Sequence, residues 1–307
     1  MKPILLVIAC AAALAASGCG LGPGPRHGGA SVLVTSEFGT HAVGMHTWAR
    51  VAASDTVMRL LERSFTVDTR YGGGFVQTID GVGGGQGNGG PLDWFYYVNG
   101  IEAGRGAAVT AVHPGDRIWW DRHDWGAAMS VPAVVGSFPE PFLRGVAGKR
   151  LPVRVDCAQG ADVACRIVEQ RFASAGVIAS SAVLGAPSGL DVARVLVGLW
   201  SAVASDPAAQ QLAAGPSISG VYARVVSAGH RVVLLDENGH PARTLGPGTG
   251  IVAATRFRDQ DPTWVVTGTD SAGIAAAAEG FDAATLDRHF AVAFVRGRPV
   301  SLPLVAP

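Results

Sequence analysis

The chain has 307 residues, with 24 basic and 24 acidic side chains and a formal net charge of zero. A balanced charge creates no field that would favour a nucleic acid, and nucleic acids are therefore excluded as expected partners. The length suits two ordinary domains, and a hydrophobic content of 48% is enough to give each of them a core.

The first 19 residues predict an export signal. Lys2 precedes an apolar run over residues 4–16, and small residues then lead to Cys19. The run is short for a membrane span, whereas this order of features is typical of a cleaved signal peptide. The end of the segment resembles the lipobox of bacterial lipoproteins, which implies lipidation of Cys19 and anchoring to the outer face of the bacterial cell membrane. Simple secretion after cleavage nearby is the alternative.

Residues 20–30 contain two prolines and five glycines, which is typical of a flexible tether. Residues 31–38 then alternate as a strand does, and Ser54 or Asp55 can cap a short helix. The glycine-rich residues 72–90 lack the lysine of a phosphate-binding loop, so they predict an elaborated hairpin or a mobile flap.

Residues 92–125 are the most informative stretch, because they hold four of the seven tryptophans. Asn99-Gly100 is typical of a two-residue hairpin turn, and Pro114-Gly115 predicts a second turn. The strands that flank these turns are predicted at residues 94–98, 108–112 and 117–121, which together make a small antiparallel meander.

The sequence Trp-Phe-Tyr-Tyr-Val-Asn-Gly at residues 94–100, with Pro-Gly-Asp-Arg-Ile-Trp-Trp at residues 114–120, resembles a bacterial domain related to the C-terminal β-domain of transcobalamin, the vitamin B12 carrier. The resemblance covers residues 31–132. It implies a β-grasp-like α+β domain, and it makes cobalamin or another corrinoid a candidate ligand. Transcobalamin closes B12 between this domain and a large helical barrel, and no helical array of that size is predicted here.

The aromatic strands predict one ligand-binding site, because a hairpin brings side chains of neighbouring strands together and aromatic rings supply contact area. The alternative is that the tryptophans form the core of a small domain and the charged residues pair at its surface. Strand alternation places Trp119 and Asp121 on one face and Trp120 on the other. The candidate ligand-binding residues are Trp94, Tyr96, Asn99, Trp119, Asp121, His123 and Trp125.

Residues 133–150 are rich in proline and glycine and are predicted to be a linker. Apolar strands alternate with helical patterns beyond it, so residues 151–307 predict an α/β domain with a mixed sheet. We expect each domain to fold alone. Helices are predicted at residues 162–172, 190–203 and 271–279, and strands at residues 151–156, 176–184, 221–226, 231–236, 251–257, 264–267 and 290–295.

Two cysteines, Cys157 and Cys165, belong to the second domain. In an oxidising exterior they predict a local disulfide, and two small buried thiols are the alternative. Histidines are scattered over the first domain without the spacing of a zinc site, so no metal site is expected.

The leading hypothesis is a non-catalytic envelope lipoprotein that binds a small ligand or an envelope protein through its aromatic strands, with no resident cofactor. One alternative is an envelope enzyme with a site at Thr267–Ser271, where backbone amides before a helix could bind an anion. Capping of that helix by Asp270 or Ser271 is the competing interpretation. A second alternative is a purely structural contact module in which the tryptophans form a protein interface.

Overall fold

A computed structural model describes residues 25–26, 28–87, 90–189, 191–256 and 260–305. This part of the chain forms one large sheet in each half, together with smaller sheets and short helices. The predicted fold class, an α+β first half followed by an α/β half with a mixed sheet, is confirmed.

The first half is built mainly from strands, with one short helix, α1 at Val57–Glu62. The strands are β1 Pro25–Arg26, β2 Ala30–Ser36, β3 His41–Trp48, β4 Val51–Ala52, β5 Val67–Arg70, β6 Phe75–Ile79, β7 Val82–Gly83, β8 Gly85–Gln86, β9 Pro91–Val98, β10 Ile101–Glu102 and β11 Arg117–Asp124.

The main sheet of this half has the order β10-β9-β11-β2-β3, with β8 also paired to β9. Strand β11 is parallel to β2 and antiparallel to β9. The buried side chains of α1 pack on one face of the sheet with those of Val32, Trp94 and Trp120. A parallel central pair with a helix across one face is the β-grasp-like arrangement.

The two turns predicted in this half, at Asn99-Gly100 and Pro114-Gly115, are confirmed. Asn99 and Gly100 both have positive φ, at 55° and 77°, and they join β9 directly to β10. Gly115 also has a positive φ, of 93°. The glycine-rich segment forms the β5–β6 hairpin extended by β7, as an elaborated hairpin was expected to do.

The strand predicted at residues 108–112 is wrong. Within this stretch only Ala111 forms a bridge, to Thr56. The backbone caps α1 instead, since the first helical amides of Val57 and Met58 donate to the carbonyls of Thr110 and Ala107. The helix cap is Thr56 rather than Ser54 or Asp55, because its side chain accepts a hydrogen bond from the Arg59 amide.

The second half alternates strands with helices before it becomes antiparallel. Its strands are β12 Val153–Cys157, β13 Ala179–Val183, β14 Ala193–Leu199, β15 Ala223–Val226, β16 Arg231–Leu235, β17 Pro241–Leu245, β18 Thr249–Thr255, β19 Thr263–Gly268, β20 Ala291–Val295 and β21 Arg298–Leu302. The α-helices are α2 Asp162–Ser174, α3 Trp200–Val203, α4 Pro207–Ala214, α5 Pro216–Ser219, α6 Ser271–Glu279 and α7 Ala283–Leu286.

The large sheet of this half has the order β13-β12-β14-β19-β18-β20-β21. The first four strands in this order, β13, β12, β14 and β19, are parallel to one another. Each of the next three strands, β18, β20 and β21, is antiparallel to the strand that precedes it in the order. Strands β15, β16 and β17 form a separate antiparallel sheet. Helix α6 occupies the predicted residues 271–279.

The helix predicted at residues 190–203 is wrong. Residues 193–199 form β14, which lies between β12 and β19, and only the short α3 follows it. A strand in the middle of a parallel sheet is buried on both faces, so its apolar run is continuous. Such a run has the same composition as a buried helix, and its periodicity does not separate the two.

The segment 133–150 is not an exposed linker. Val135, Phe138 and Phe142 lie in the core of the second half, while Val134 joins a second core that both halves share. That shared core brings residues of the first sheet together with residues of the second, among them Phe38, Tyr97, Trp119, Leu196, Tyr222 and Phe290. The two main sheets are therefore packed against each other.

Cys157 at the end of β12 and Cys165 in α2 are joined by a disulfide, with their Cα atoms 6.1 Å apart. The bond therefore ties β12 of the large sheet to α2, the helix that follows it in the chain. None of the helices in the described ranges combines the length and apolar character needed to cross a bilayer.

Candidate functional site

The predicted aromatic site does not form a surface. Trp94 and Tyr96 face α1, whereas Trp119, Asp121 and His123 face the second half of the chain. All five are buried, and Asp121 and Asn99 are 0% exposed. Trp125 is half-buried and donates from Nε1 to Asp93 Oδ2 at 2.8 Å. The prediction of one aromatic-rimmed site is therefore corrected, because these rings pack on both sides of one sheet.

On the α1 face, the aromatic rings pack among themselves. Trp120 stacks on Tyr96 with a centroid separation of 4.8 Å, and Trp94 Nε1 donates to the carbonyl of Val82 at 3.3 Å. The Tyr96 hydroxyl donates to the Arg105 carbonyl at 2.6 Å and lies 2.8 Å from Thr110 Oγ1. Tyr96 thus fixes the loop at residues 105–110 from inside the domain.

On the opposite face, the aromatic side chains meet Phe290 of the second half. The Phe290 ring lies edge-on to Trp119 at 5.2 Å and to His123 at 5.3 Å. The phenyl ring of Phe95 stacks on His123 at 4.6 Å. Trp119 and His123 are buried because the second half of the chain covers this face, and Phe95 is half-buried.

The Asp121 carboxylate on this face is hydrogen-bonded within the protein. Asp121 accepts hydrogen bonds from the amides of Phe38 and Gly39, at 3.1 and 2.9 Å. Its carboxylate also lies 2.9 Å from His123 Nδ1, and Thr35 donates to it. Buried polar groups need such partners, so the Asp121–His123 pair maintains the interior rather than facing a ligand.

Asn99 positions two turns. Its Nδ2 donates to Asp116 Oδ1 at 2.9 Å and to the Gly145 carbonyl at 3.0 Å. Its Oδ1 accepts from the Arg117 amide at 2.9 Å. The side chain therefore links the turn before β11 to the segment 145–149.

The alternative anion site at Thr267–Ser271 is filled by the chain's own carboxylate. Asp270 Oδ1 accepts from the Gly273 amide at 2.8 Å, and its Oδ2 accepts from the Gly248 amide at 2.8 Å. Asp270 is the N-cap of α6. The Gly273 amide in the first turn of α6 is thus engaged, as helix capping requires.

A recess of about 820 Å³ opens where β9 turns into β10, and we call it the β10 groove. A smaller cavity of about 340 Å³ adjoins it and shares Glu102, Ala103, Gly104 and Arg256 with it. The size of the groove is within the range of small-molecule sites. Its apolar wall includes Val98, Ile101, Val109 and Val146, and its polar groups include Glu102, Arg105, Thr110, His113 and Arg256.

The walls of the groove are fixed by buried residues behind them. Tyr96 holds the loop that carries Val109, and Asn99 holds the segment that carries Val146. Val146 and Lys149 exchange backbone hydrogen bonds of 3.0 and 2.9 Å, which closes that segment into a turn. The candidate residues Tyr96 and Asn99 therefore support the groove without lining it.

Glu102 is the acid of the groove. Burial raises its pKa above the ordinary value, while hydrogen bonds from Ser130 and the Val131 amide and the charges of His123 and Arg256 oppose this shift. On the far wall, His113 Nδ1 lies 3.5 Å from Asp116 Oδ2. The groove therefore combines a carboxyl group with guanidinium groups beside an apolar surface.

Sequence reasoning missed this groove because its residues range from Val98 to Arg256 and meet only where the two halves pack. The one local indication is the turn at Asn99-Gly100, which places Ile101 and Glu102 at the edge of the sheet. Within the ranges that the structure describes, no group of three metal-binding side chains is close enough to hold an ion.

Residues 54–124 match a domain of unknown function, DUF4430. Among solved structures, haptocorrin in complex with Cbi is similar at 16% identity and a TM-score of 0.24, over 32% of this chain and 26% of haptocorrin. A putative metal binding protein from Ruminococcus gnavus is similar at 16% identity and a TM-score of 0.24, over 32% of this chain and 97% of that one. The chain thus spans about a quarter of haptocorrin, and no curated protein matches it.

Proposed function

We propose that this chain is a non-catalytic, exported protein that binds a small molecule in the β10 groove. The observation that carries the proposal is a recess of about 820 Å³ with an apolar wall and a few polar groups. Ligand sites commonly combine a mostly apolar lining with a small number of polar groups that fix orientation. Because its walls are held by Tyr96 and Asn99, the groove needs little ordering when a ligand enters.

The other surfaces considered from the sequence are less suited to a ligand. The Asp121–His123 pair is enclosed in the shared core, so it cannot touch a substrate in this conformation. At Thr267–Ser271, the Asp270 carboxylate already accepts hydrogen bonds from the amides of Gly248 and Gly273. The tryptophans of β9 and β11 are buried and offer no protein interface.

Filling the groove tests the proposal. Ala111 is exposed and lines the groove, so Ala111→Phe should occupy part of it without disturbing the core. Ala42 is also exposed but lies on β3, at the opposite edge of the sheet, so Ala42→Phe is the matched control. Ligands that stabilise the wild type in thermal melts should lose their effect with Ala111→Phe and keep it with Ala42→Phe. Equal responses of the two variants would contradict groove binding.

The more specific proposal is that the ligand of the groove is a corrinoid. It is supported by the resemblance of residues 31–132 to the transcobalamin domain. The ligand panel therefore includes cyanocobalamin and cobinamide beside small metabolites. Stabilisation by cobinamide that Ala111→Phe removes would support a corrinoid. If cobinamide leaves the wild-type melt unchanged while another molecule shifts it, the groove serves a different ligand.

The proposed location is the outer face of a bacterial cell membrane, with a lipid on Cys19. The support is the apolar run of residues 4–16 and the small residues before the cysteine, all of which lie outside the described residues. The wild type should partition into detergent, and Cys19→Ser should not. A Cys19→Ser protein that is exported and still partitions with membranes would show that the anchor is elsewhere.

A further inference from the structure

Glu102 and Arg256 place opposite charges in the same recess. Glu102 is in β10 of the first sheet, and Arg256 directly follows β18 of the second. Both residues line the β10 groove and also the smaller cavity beside it. The two charges therefore come from different halves of the chain and meet where those halves adjoin.

The two groups do not pair with each other in the described ranges. The Glu102 carboxylate accepts a hydrogen bond from Ser130, and Arg256 Nε donates to the Gln260 carbonyl at 3.1 Å. Arg256 is near enough to lower the Glu102 pKa, and neither of these two hydrogen bonds joins one group to the other. The same open volume is thus bordered by a carboxylate and by a guanidinium that it attracts.

The charged side chains of the groove determine which ligand charges are favoured. A purely anionic ligand would pair with Arg256 or Arg105 but would leave Glu102 without a cationic partner. A purely cationic ligand would pair with Glu102 but would bring its charge close to the two guanidinium groups. Leaving one partly buried charge without a partner is costly, because a protein interior screens charge less than water does. A ligand that carries both charges satisfies both groups.

We infer that the β10 groove accepts a small zwitterion with an apolar side chain, such as an α-amino acid or a short apolar peptide. Its ammonium group pairs with Glu102 and its carboxylate pairs with Arg256. Its side chain lies against Val98, Val109 and Val146, where burial of apolar surface adds affinity. This inference rests on the proposed function, since it names the ligand class of the same groove.

A matched set of ligands tests the inference on the full mature chain by isothermal titration calorimetry. Leucine and leucyl-leucine carry both charges, isoamylamine carries only the positive charge, and 4-methylpentanoate carries only the negative charge. We expect the better zwitterion to bind at least tenfold more tightly than either singly charged analogue, which corresponds to about 1.4 kcal/mol. The ranking of leucine and leucyl-leucine distinguishes a free amino acid from a peptide.

Charge variants then assign the two ends of the ligand. Glu102→Gln should remove the advantage of leucine over 4-methylpentanoate, and Arg256→Gln should remove its advantage over isoamylamine. Glu62→Gln and Arg298→Gln change exposed charges outside the groove and should alter neither ratio. Equal affinity for zwitterionic and singly charged ligands would overturn the inference, and so would variants that weaken all ligands alike.

The groove-filling variant separates failure of this inference from failure of the proposed function. If Ala111→Phe blocks other ligands while neither leucine nor leucyl-leucine binds the wild type, the groove is a binding site and the zwitterion is wrong. If ligands bind and Ala111→Phe leaves their affinities unchanged, the proposed groove function itself fails.

Discussion

At the scale of single residues, Glu140 makes stability depend on pH. Its carboxyl group is buried in the segment between the two sheets and accepts a hydrogen bond from the Arg144 amide at 2.8 Å. Burial raises its pKa from 4.5 to about 7, against the opposing effects of that hydrogen bond and of Arg117 and Arg144. A raised pKa means that the folded protein binds this proton more tightly than the unfolded chain does.

The stability that Glu140 contributes is therefore fully present below pH 4.5 and is lost as the pH rises through about 7. The loss has an upper limit of about 3 kcal/mol. Glu140→Gln keeps an acceptor for the Arg144 amide and does not titrate, so its unfolding free energy should lack this decline. Urea denaturation between pH 4.5 and 8 measures the difference, with the exposed Glu62→Gln as control. Parallel pH profiles for Glu140→Gln and wild type would contradict the assignment.

Asn99 is a second residue with a measurable role. Asn99→Gly keeps a residue that tolerates the positive φ of 55° but removes the hydrogen bonds to Asp116 and Gly145. We expect a loss of about 1–3 kcal/mol in unfolding free energy, because buried polar partners are left unsatisfied.

Arg296→Gly is the matched control for Asn99→Gly. Arg296 has a φ of 51° in an exposed turn, so glycine there should leave stability unchanged or raise it. Chemical denaturation compares the two variants with wild type. Equal effects at the two positions would mean that the Asn99 side chain does not hold the turns.

At the scale of elements, the disulfide between β12 and α2 closes a short loop. Removing it with the Cys157→Ala and Cys165→Ala pair should cost about 2 kcal/mol, because the unfolded chain gains conformational freedom. Addition of a thiol reductant should destabilise the wild type by a similar amount and leave the double variant unchanged. A double variant that still responds to the reductant would show that the effect arises elsewhere.

Elements with local determinants were predictable from the sequence. Asn99-Gly100 requires a turn because both residues adopt positive φ, and the residues of α6 follow an aspartate cap. Strand β14 was not predictable, since burial on both faces removes the alternation that marks a strand. Residues 108–112 have strand-like composition, but the Thr110 carbonyl, together with that of Ala107, accepts hydrogen bonds from the first amides of α1.

The candidate site was less predictable than the fold. The alternation of side chains along a strand correctly places Trp119 and Trp120 on opposite faces of the sheet, but it does not tell which face meets water. That choice depends on Phe290 and Tyr222, which come from distant parts of the sequence and cover Trp119 and Phe38. The groove residues likewise converge only through packing of the two halves.

At the scale of the whole molecule, the shared core predicts that the first half depends on the second. A fragment of residues 31–132 would expose Phe38, Tyr97 and Trp119, which the intact chain buries against the second sheet. The expectation from sequence was that each domain folds alone. The shared core instead predicts that this fragment aggregates or melts without cooperativity. Cooperative melting of the isolated fragment at the temperature of the intact chain would contradict this prediction.

The central claim is that the aromatic strands are interior packing and that a ligand enters the β10 groove. Nuclear magnetic resonance of the intact chain tests it most directly, during titration with the strongest stabiliser from the panel. We predict that backbone amides of residues 101–111 and 146–147 shift with saturation while the indole resonances of Trp119 and Trp120 stay in place. Saturable shifts of those indoles with unchanged groove amides would contradict the account.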